Sequence, residues 1–145
     1  MIKIEENELF NERYRLISLM GVGGYSQVWL AEDTDINKEV ALKIFAAGSG
    51  LDNEALKTFS KEYSIVFDLN HPNLLIPKHF DKWEKMPYLV MPYIPKGSCL
   101  KLCGKMDELE LAKFLLQIGE ALQYLHSQEP PIIHQDIKPD NILID

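Results

Sequence analysis

Short runs rich in apolar, β-branched and aromatic residues recur along the first half of the chain, separated by segments with turn-forming or polar residues. Residues 14–20, 28–31 and 40–45 form three such runs, and residues 74–80 and 88–93 form two more. Runs of about four to eight such residues, bounded by turn-forming segments, are typical of strands. The pattern therefore predicts five strands in close succession, as in an antiparallel meander.

Two other segments have the helical period. Between residues 54 and 69, apolar side chains recur every third or fourth position, up to an Asn-His-Pro-Asn stop at residues 70–73. Residues 107–127 form a second predicted helix, with acidic residues in its first turn and apolar residues on nearly all sides. A helix of that kind requires cover on all sides, and little of the chain follows to supply it.

These elements predict an α+β fold in which a five-stranded antiparallel sheet carries one packed helix, and a long helix follows. Pro92, Pro95 and Gly97 mark a connector between the two parts. We therefore expect an N-terminal extension over residues 1–13, a first lobe with its connector over residues 14–94, and the start of a second lobe over residues 95–145.

Composition narrows the class of protein. The chain has 145 residues and a net charge of −7 with no cluster of Lys and Arg, which argues against a nucleic-acid partner. No apolar stretch approaches the ~20 residues of a membrane span, and the N-terminus lacks the pattern of a signal peptide. Cys99 and Cys103 are interpreted as ordinary reduced thiols. The composition therefore favours a cytoplasmic location.

The segment from His134 to Asn141 contains the most informative chemistry. Transfer of a phosphoryl group from ATP to a hydroxyl requires a carboxylate to orient and deprotonate the nucleophile, a nearby cation, and a hard oxygen ligand for Mg²⁺. Asp136, Lys138 and Asn141 supply these three groups within six residues. A polar turn between two buried strands is the alternative reading.

This segment resembles the catalytic loop of eukaryotic-type (Hanks-type) Ser/Thr protein kinases. The resemblance implies that Asp136 is the catalytic base, that Lys138 contacts the γ-phosphate and that Asn141 binds a metal ion. It also implies ATP and Mg²⁺ as cofactors and Leu143 as a nucleotide contact. Lys138 followed by Pro139 is more typical of Ser/Thr kinases than of Tyr kinases or of small-molecule phosphotransferases.

A glycine-rich segment lies between the first two predicted strands. It resembles the phosphate-covering loop of the same family, with Ser26 in place of the third glycine. Glycines let backbone amides approach phosphate oxygens, since no Cβ intervenes. The resemblance places Val28 and Ala41 against the adenine. The predicted nucleotide-contacting residues of the loop are Gly21, Val22, Gly23, Gly24, Tyr25 and Ser26.

Lys43, in the third predicted strand, matches the family lysine that binds the α- and β-phosphates of ATP. Such a lysine requires a carboxylate partner, and two glutamates of the following helix compete for that role. Glu62 lies nine residues before His71, which is the family spacing, whereas Glu54 lies near the start of the helix. We therefore predict a Lys43–Glu62 pair whose geometry depends on the position of the helix.

Residues 91–94 resemble the hinge of the family. Met91 corresponds to the gatekeeper, Pro92 supplies a carbonyl to the adenine, and Ile94 supplies an amide. Proline has no N–H, but the first of these roles requires only an acceptor. An edge strand that ends at prolines fits the local sequence equally well.

Two departures from the family pattern modify the expectation. Gln135 replaces the arginine that pairs with a phosphorylated activation segment, so we hypothesise activity that does not depend on such phosphorylation. The chain ends at Asp145, before the Asp-Phe-Gly element, and we expect it to be part of a longer kinase and to transfer phosphate poorly alone.

Two functions from different classes follow. The first is phosphoryl transfer to Ser or Thr of a protein substrate. The second is a truncated nucleotide-binding or interaction module without catalysis, in which the uncovered long helix self-associates.

Overall fold

The computed structural model describes residues 4–145, which form two compact units. The first contains residues 4–69 and Ile76–Tyr93, and the second contains Asn70–Leu75 and Ile94–Asp145. One division between the units falls between Tyr93 and Ile94, and the predicted extension and two lobes stay a prediction. The first unit is dominated by a sheet and the second by one long helix.

The sheet of the first unit has six strands, and every neighbouring pair is antiparallel. This arrangement confirms the predicted α+β class with an antiparallel sheet. The spatial order is β1-β2-β3-β4-β6-β5. In chain order the strands are β1 (Leu9–Phe10), β2 (Tyr14–Val22), β3 (Ser26–Asp33), β4 (Lys38–Phe45), β5 (His79–Trp83) and β6 (Met86–Pro92).

Strand β1 is the sixth strand, and the prediction of five strands missed it. It lies within the stretch that was expected to be an extension. Phe10 is 1% exposed and makes edge-to-face contacts with Trp83 and Tyr88, with ring centroids 4.8 and 5.1 Å away. A two-residue strand has no measurable period, so alternation could not reveal it.

Strand β5 also differs from the prediction, because it begins at His79 and not at residue 74. Pro77 lacks the amide that a ladder requires, so regular pairing cannot extend back through it. The turn from β5 to β6 consists of Glu84 and Lys85, both with positive φ, at 48° and 64°. Two such residues are what a tight hairpin with right-handed strand twist demands.

One face of the sheet holds the hydrophobic core of this unit. Trp29, Leu42 and Val90 lie side by side across β3, β4 and β6. All members of the core cluster are at most 4% exposed: Phe10, Tyr14, Leu16, Trp29, Ala31, Leu42, Ile44, Met86, Tyr88 and Val90.

Helix α1 (Asn53–Ser64) follows β4. Its N-cap is Asp52, whose carboxylate accepts a hydrogen bond from the Ala55 amide at 2.8 Å. The predicted helix to residue 69 is confirmed as far as Ser64, after which Ile65–Asp68 form a 3₁₀ turn. Phe59 and Tyr63 contact the Phe45 ring of β4, with centroids 4.6 and 5.3 Å away, so α1 packs through aromatic side chains.

The second unit contains helix α2 (Glu108–His126), as residues 107–127 predict. Asp107 and Glu110 form a capping box at its start, with bonds of 2.8 and 3.0 Å. Tyr124 accepts a hydrogen bond from the Asn70 amide at 2.8 Å, which ties Asn70–Leu75 to this helix. Neither helix of residues 4–145 has the length and apolarity that crossing a bilayer requires.

Candidate active site

The sheet face opposite the core collects the residues predicted to bind the nucleotide base and phosphates. Strand pairing places Val28, Lys43 and Leu89 in one row across β3, β4 and β6. The adjacent row contains Ala41 and Met91. Paired residues on neighbouring strands point to the same face, and positions two apart share it. The register therefore brings Val28, Ala41, Lys43 and Met91 together.

The glycine-rich segment forms the hairpin between β2 and β3. Gly21 pairs with Val28, and the Gly23 amide closes the turn on the Ser26 carbonyl at 2.7 Å. Gly21, Gly23 and Gly24 do not have positive φ, so the turn does not require glycine for its backbone conformation. A Cβ built at Gly21 or Gly24 meets nothing within 4 Å. The glycines thus leave open space beside the backbone, as the approach of a phosphate group requires.

Two cavities flank the tip of this hairpin, and Tyr25 lines both. The larger has a volume of about 430 Å³ and lies between the hairpin tip and α1; it includes Glu54 and Glu62. The smaller, of about 230 Å³, lies between the hairpin and residues 46–49. Tyr25 itself is 61% exposed. The hairpin tip is therefore bounded on one side by acidic α1 side chains.

Lys43 is half-buried, and this burial lowers the pKa of its ammonium group. Its Nζ atom lies 5.2 Å from the centroid of the Phe45 ring, a cation–π contact. Among the described residues, no carboxylate lies within 4.0 Å of Nζ, so the predicted Lys43–Glu62 ion pair is not formed in this structure. The physical reason is the placement of Glu62, which is exposed and lines the α1 cavity.

The hinge residues divide between the two units. Met91 and Pro92 end strand β6, where they pair with Ala41 and Val40 of β4. Ile94 belongs to the second unit, and its carbonyl accepts a bond from the Gly97 amide at 3.0 Å. Within residues 4–145 its own amide donates no hydrogen bond, which leaves it available to a ligand. The adenine roles of these residues stay predictions.

The second unit brings Asp136, Lys138 and Asn141 together in one loop. The Asn141 side-chain amide donates to the Asp136 carboxylate at 2.8 Å and to its backbone carbonyl at 2.9 Å. The Lys138 ammonium lies 3.6 Å from the same carboxylate oxygen. All three side chains are solvent-exposed. The loop thus presents an oriented, accessible carboxylate beside a cation.

Backbone pairing supports this loop from outside. Ser98 and Leu143 form an antiparallel bridge, flanked by bonds from the Cys99 amide to the Ile142 carbonyl at 2.7 Å and from the Ile144 amide to the Gly97 carbonyl at 2.9 Å. Leu143, a predicted nucleotide contact, is 40% exposed. The segment that follows Asn141 is therefore held by this single bridge and its two flanking hydrogen bonds.

Two residues support the site in ways that the sequence did not predict. The Asp136 amide donates a hydrogen bond to Nδ1 of the His134 imidazole at 3.3 Å. This is a local side-chain-to-backbone bond, and the two-residue separation of His134 and Asp136 could have suggested it. Ala46, after β4, has a φ of 49° and donates its amide to the Tyr25 carbonyl at 3.0 Å. An alanine in the left-handed region carries no sequence signal, because glycine or asparagine is expected there.

The oxygen chemistry of Asn141 fits a magnesium ligand. Its Nδ2 atom is committed to two Asp136 oxygens, which leaves Oδ1 as the acceptor. Amide and carboxylate oxygens are the hard donors that Mg²⁺ takes in proteins. The described residues contain no group of three or more His, Cys, Asp or Glu side chains placed to hold a metal ion. A magnesium ion at Asn141 would therefore need ligands from the nucleotide phosphates or water as well.

Comparison with known proteins adds an independent finding. Residues 14–145 match the family model described as the protein kinase domain. The chain is 35% identical to the serine/threonine-protein kinase PrkC of Bacillus subtilis over 92% of its own length, and 34% identical to PknA of Mycobacterium tuberculosis over 91%. It is 31% identical to the mouse serine/threonine-protein kinase tousled-like 2 over 98%.

The alignments cover nearly all of this chain but only a small part of each relative. The chain spans 21% of the length of PrkC and of tousled-like 2, and 32% of the length of PknA. The similarity therefore concerns a part of each of these proteins.

Proposed function

Because the chain belongs to the protein kinase domain family, we propose that the protein carrying it transfers the γ-phosphoryl group of ATP to Ser or Thr hydroxyls of protein substrates. The observation that carries the proposal is the Asp136–Asn141–Lys138 cluster, in which one carboxylate oxygen is both hydrogen-bonded and paired with a cation. This cluster supplies the groups that phosphoryl transfer to a hydroxyl needs.

The first unit binds the nucleotide in this proposal. Val28, Ala41 and Met91 form the apolar contact for the adenine, since the sheet register places them on one face. The amides of the glycine-rich hairpin and the Lys43 ammonium hold the phosphates. Glu62 pairs with Lys43 in the nucleotide-bound protein in this proposal, which requires Glu62 to reorient, since no carboxylate of residues 4–145 lies within 4.0 Å of the Lys43 ammonium.

The loop of the second unit performs the transfer. The hydroxyl oxygen of the substrate forms a bond to the γ-phosphorus, and the bond from that phosphorus to the β,γ-bridging oxygen breaks, which releases ADP. Asp136 accepts the hydroxyl proton. Lys138 offsets the negative charge on the γ-phosphoryl group during the transfer. Magnesium, when bound, neutralises phosphate charge, and Asn141 Oδ1 is the ligand that this chain offers.

Two measurements test the proposal. Phosphoamino-acid analysis of a protein substrate incubated with labelled ATP should give phosphoserine or phosphothreonine; label on a small molecule alone would contradict it. A Mg-ATP thermal-shift assay should show a shift for this chain that Lys43→Met reduces. Lys57→Met is the matched control, because Lys57 is exposed on α1 and has no proposed role. An equal reduction of the thermal shift in both variants would contradict a role of Lys43 in nucleotide binding.

The remaining expectations are also proposals. We propose a cytoplasmic location, which the free thiols of Cys99 and Cys103 support. The net charge of −7 supports a protein substrate over a nucleic-acid partner.

A second candidate function is a non-catalytic interaction module, and the exposed leucines of α2 favour it. Leu109, Leu115 and Leu116 are 64%, 56% and 63% exposed. Such an apolar surface supports self-association of the chain. Sedimentation equilibrium and the kinase assay together distinguish the two functions. A stable dimer of a protein that does not transfer phosphate favours the interaction module.

A further inference from the structure

The segment between β4 and α1, residues 46–51, connects the glycine-rich hairpin to the turn between β5 and β6. We refer to it as the connector. At its first residue, the Ala46 amide donates to the Tyr25 carbonyl at the tip of the hairpin, at 3.0 Å. At its last residue, the Leu51 amide donates to the Lys85 carbonyl at 2.8 Å. The connector therefore contacts two loops between which residues 4–145 form no direct hydrogen bond.

The connector is internally braced. The Ala46 carbonyl accepts hydrogen bonds from the Ser49 and Gly50 amides at 3.0 and 2.8 Å, and from the Ser49 hydroxyl at 3.1 Å. The Gly48 amide donates to the Met86 sulfur at 3.1 Å. Ala46 is 6% exposed and occupies the left-handed region at a φ of 49°, which its neighbours must impose. These bonds make the connector a compact turn, so a displacement at one end is transmitted to the other.

Gly50 is the tightest point of this contact. Its φ of 71° is in the region that favours glycine, and a Cβ at this position would lie 3.0 Å from both the Glu84 carbonyl oxygen and the Lys85 Cβ. Backbone at Glu84 cannot yield as a flexible side chain can. A Cβ at Gly50 would therefore displace the connector and the hairpin turn from each other by a few tenths of an ångström, besides occupying a strained φ.

We propose that the connector is a positioning element that holds the tip of the glycine-rich hairpin, through the Ala46–Tyr25 hydrogen bond, in the place where it contacts the nucleotide phosphates. This inference rests on the proposed nucleotide-binding function and adds the device that fixes the hairpin. Without the hydrogen bond, the hairpin populates its binding position for a smaller fraction of the time. The apparent affinity for ATP falls in proportion to that fraction.

The test uses Gly50→Ala in the protein that carries this chain, with ATP as the varied substrate. We expect the KM for ATP to rise about fivefold, the size of effect that one lost hydrogen bond produces, while kcat stays within about twofold. The matched control is Gly104→Ala. Gly104 has a similar φ of 73°, but a Cβ there meets nothing within 4 Å. The control therefore introduces the backbone strain without the collision and should leave both constants unchanged.

The outcomes are distinguishable. An unchanged KM for ATP in folded Gly50→Ala, or an equal rise in Gly104→Ala, overturns the proposal. If Gly50→Ala does not fold, Ser49→Ala replaces it, because this change removes one bond to the Ala46 carbonyl. Faster hydrogen exchange of the Ala46 amide with a raised KM then supports the proposal, and an unchanged exchange rate and KM overturn it.

Failure of the proposed function itself gives a different result. A wild-type protein that neither binds ATP nor transfers phosphate would contradict the kinase assignment. The connector would still be judged in that case, since protection of the Ala46 amide in the wild type and its loss in Gly50→Ala do not require nucleotide.

Discussion

The two units of the chain bury their apolar side chains to very different degrees. In the first unit, ten core residues on one face of the sheet are at most 4% exposed. In the second unit, the buried hydrophobic side chains are Cys99, Ala121 and Leu125, whereas Leu109 and Leu116 are more than 60% exposed. Both units nevertheless form their predicted elements. Local pattern and capping thus determine where a helix or strand forms, and burial depends on what else packs against it.

The two candidate sets of functional residues differ in the same way. The base-contacting residues of the first unit come from β3, β4 and β6, so they depend on strand register across the sheet. The Asp136 cluster of the second unit is held by bonds between residues at most five apart. The first set is therefore sensitive to long-range packing, and the second is sensitive mainly to its own loop.

The largest expected effect concerns the two packing environments. Leu42→Ala in β4, where the side chain is 0% exposed, should lower the free energy of unfolding by about 3 kcal/mol. Leu116→Ala in α2 should change it by about 0.5 kcal/mol or less, since the side chain is 63% exposed. Urea unfolding followed by circular dichroism measures both. Similar losses would show that α2 is packed as tightly as the sheet.

The next effect concerns the buried carboxylate of the first unit. Arg13 donates two hydrogen bonds to Asp33, of 2.9 and 2.7 Å, and Asp33 is 3% exposed. Asp33→Asn should cost roughly 2 kcal/mol, because the guanidinium loses its charged partner. Asp35→Asn is the control, since its carboxylate also lies near Arg13 but is 64% exposed. An equal loss of unfolding free energy in the two variants would contradict the claim that burial makes the Arg13–Asp33 pair important.

The same ion pair predicts a pH dependence. The hydrogen bonds from Arg13 lower the pKa of Asp33 below its ordinary value of 3.8. A carboxyl group whose pKa is lowered by folding contributes stability above that ordinary value, and the contribution is lost as the pH falls through the lower folded pKa. The stability difference between wild type and Asp33→Asn should therefore shrink below pH 3.8. Thermal melts from pH 7 to pH 2 measure it.

A smaller effect on helix stability is expected when the N-cap of α1 or of α2 is removed. Asp107→Ala removes the capping box of α2 and should cost about 1 kcal/mol of helix stability. Asp52→Ala removes the single N-cap bond of α1 and should cost less, since α1 is also held by the aromatic contacts of Phe59 and Tyr63 with Phe45. Hydrogen exchange of the first-turn amides reports each loss separately. A greater loss at α1 would reverse the comparison.

The smallest effect concerns Lys43. Its burial lowers the pKa of the ammonium, so the folded state disfavours the charged form. A lowered lysine pKa means that the unfolded chain binds more protons, and the stability penalty is present at neutral pH and declines as the pH rises toward the unfolded pKa. Lys43→Met should therefore raise the free energy of unfolding without nucleotide slightly, by less than about 1 kcal/mol, which urea unfolding measures. A clear destabilisation would contradict this account.

The sequence predicted the features that depend on local pattern. The α2 boundaries, the glycine-rich hairpin and the Asp136 loop follow from period, caps and spacing within a few residues. It did not reveal strand β1, whose two residues are ordered by packing of Phe10 against distant rings. Nor did it place Glu62, since the approach of α1 to β4 is determined by aromatic packing and not by the glutamate–lysine spacing.

The most direct test of the central claim compares Asp136→Asn with Asp140→Asn in single-turnover phosphoryl transfer at saturating Mg-ATP. Asp140 is an exposed carboxylate of the same loop without a proposed role. The account predicts that Asp136→Asn lowers the transfer rate by about a thousandfold and leaves ATP affinity within about twofold, whereas Asp140→Asn transfers at the wild-type rate. Transfer by Asp136→Asn at the wild-type rate would contradict the assignment of Asp136 as the base.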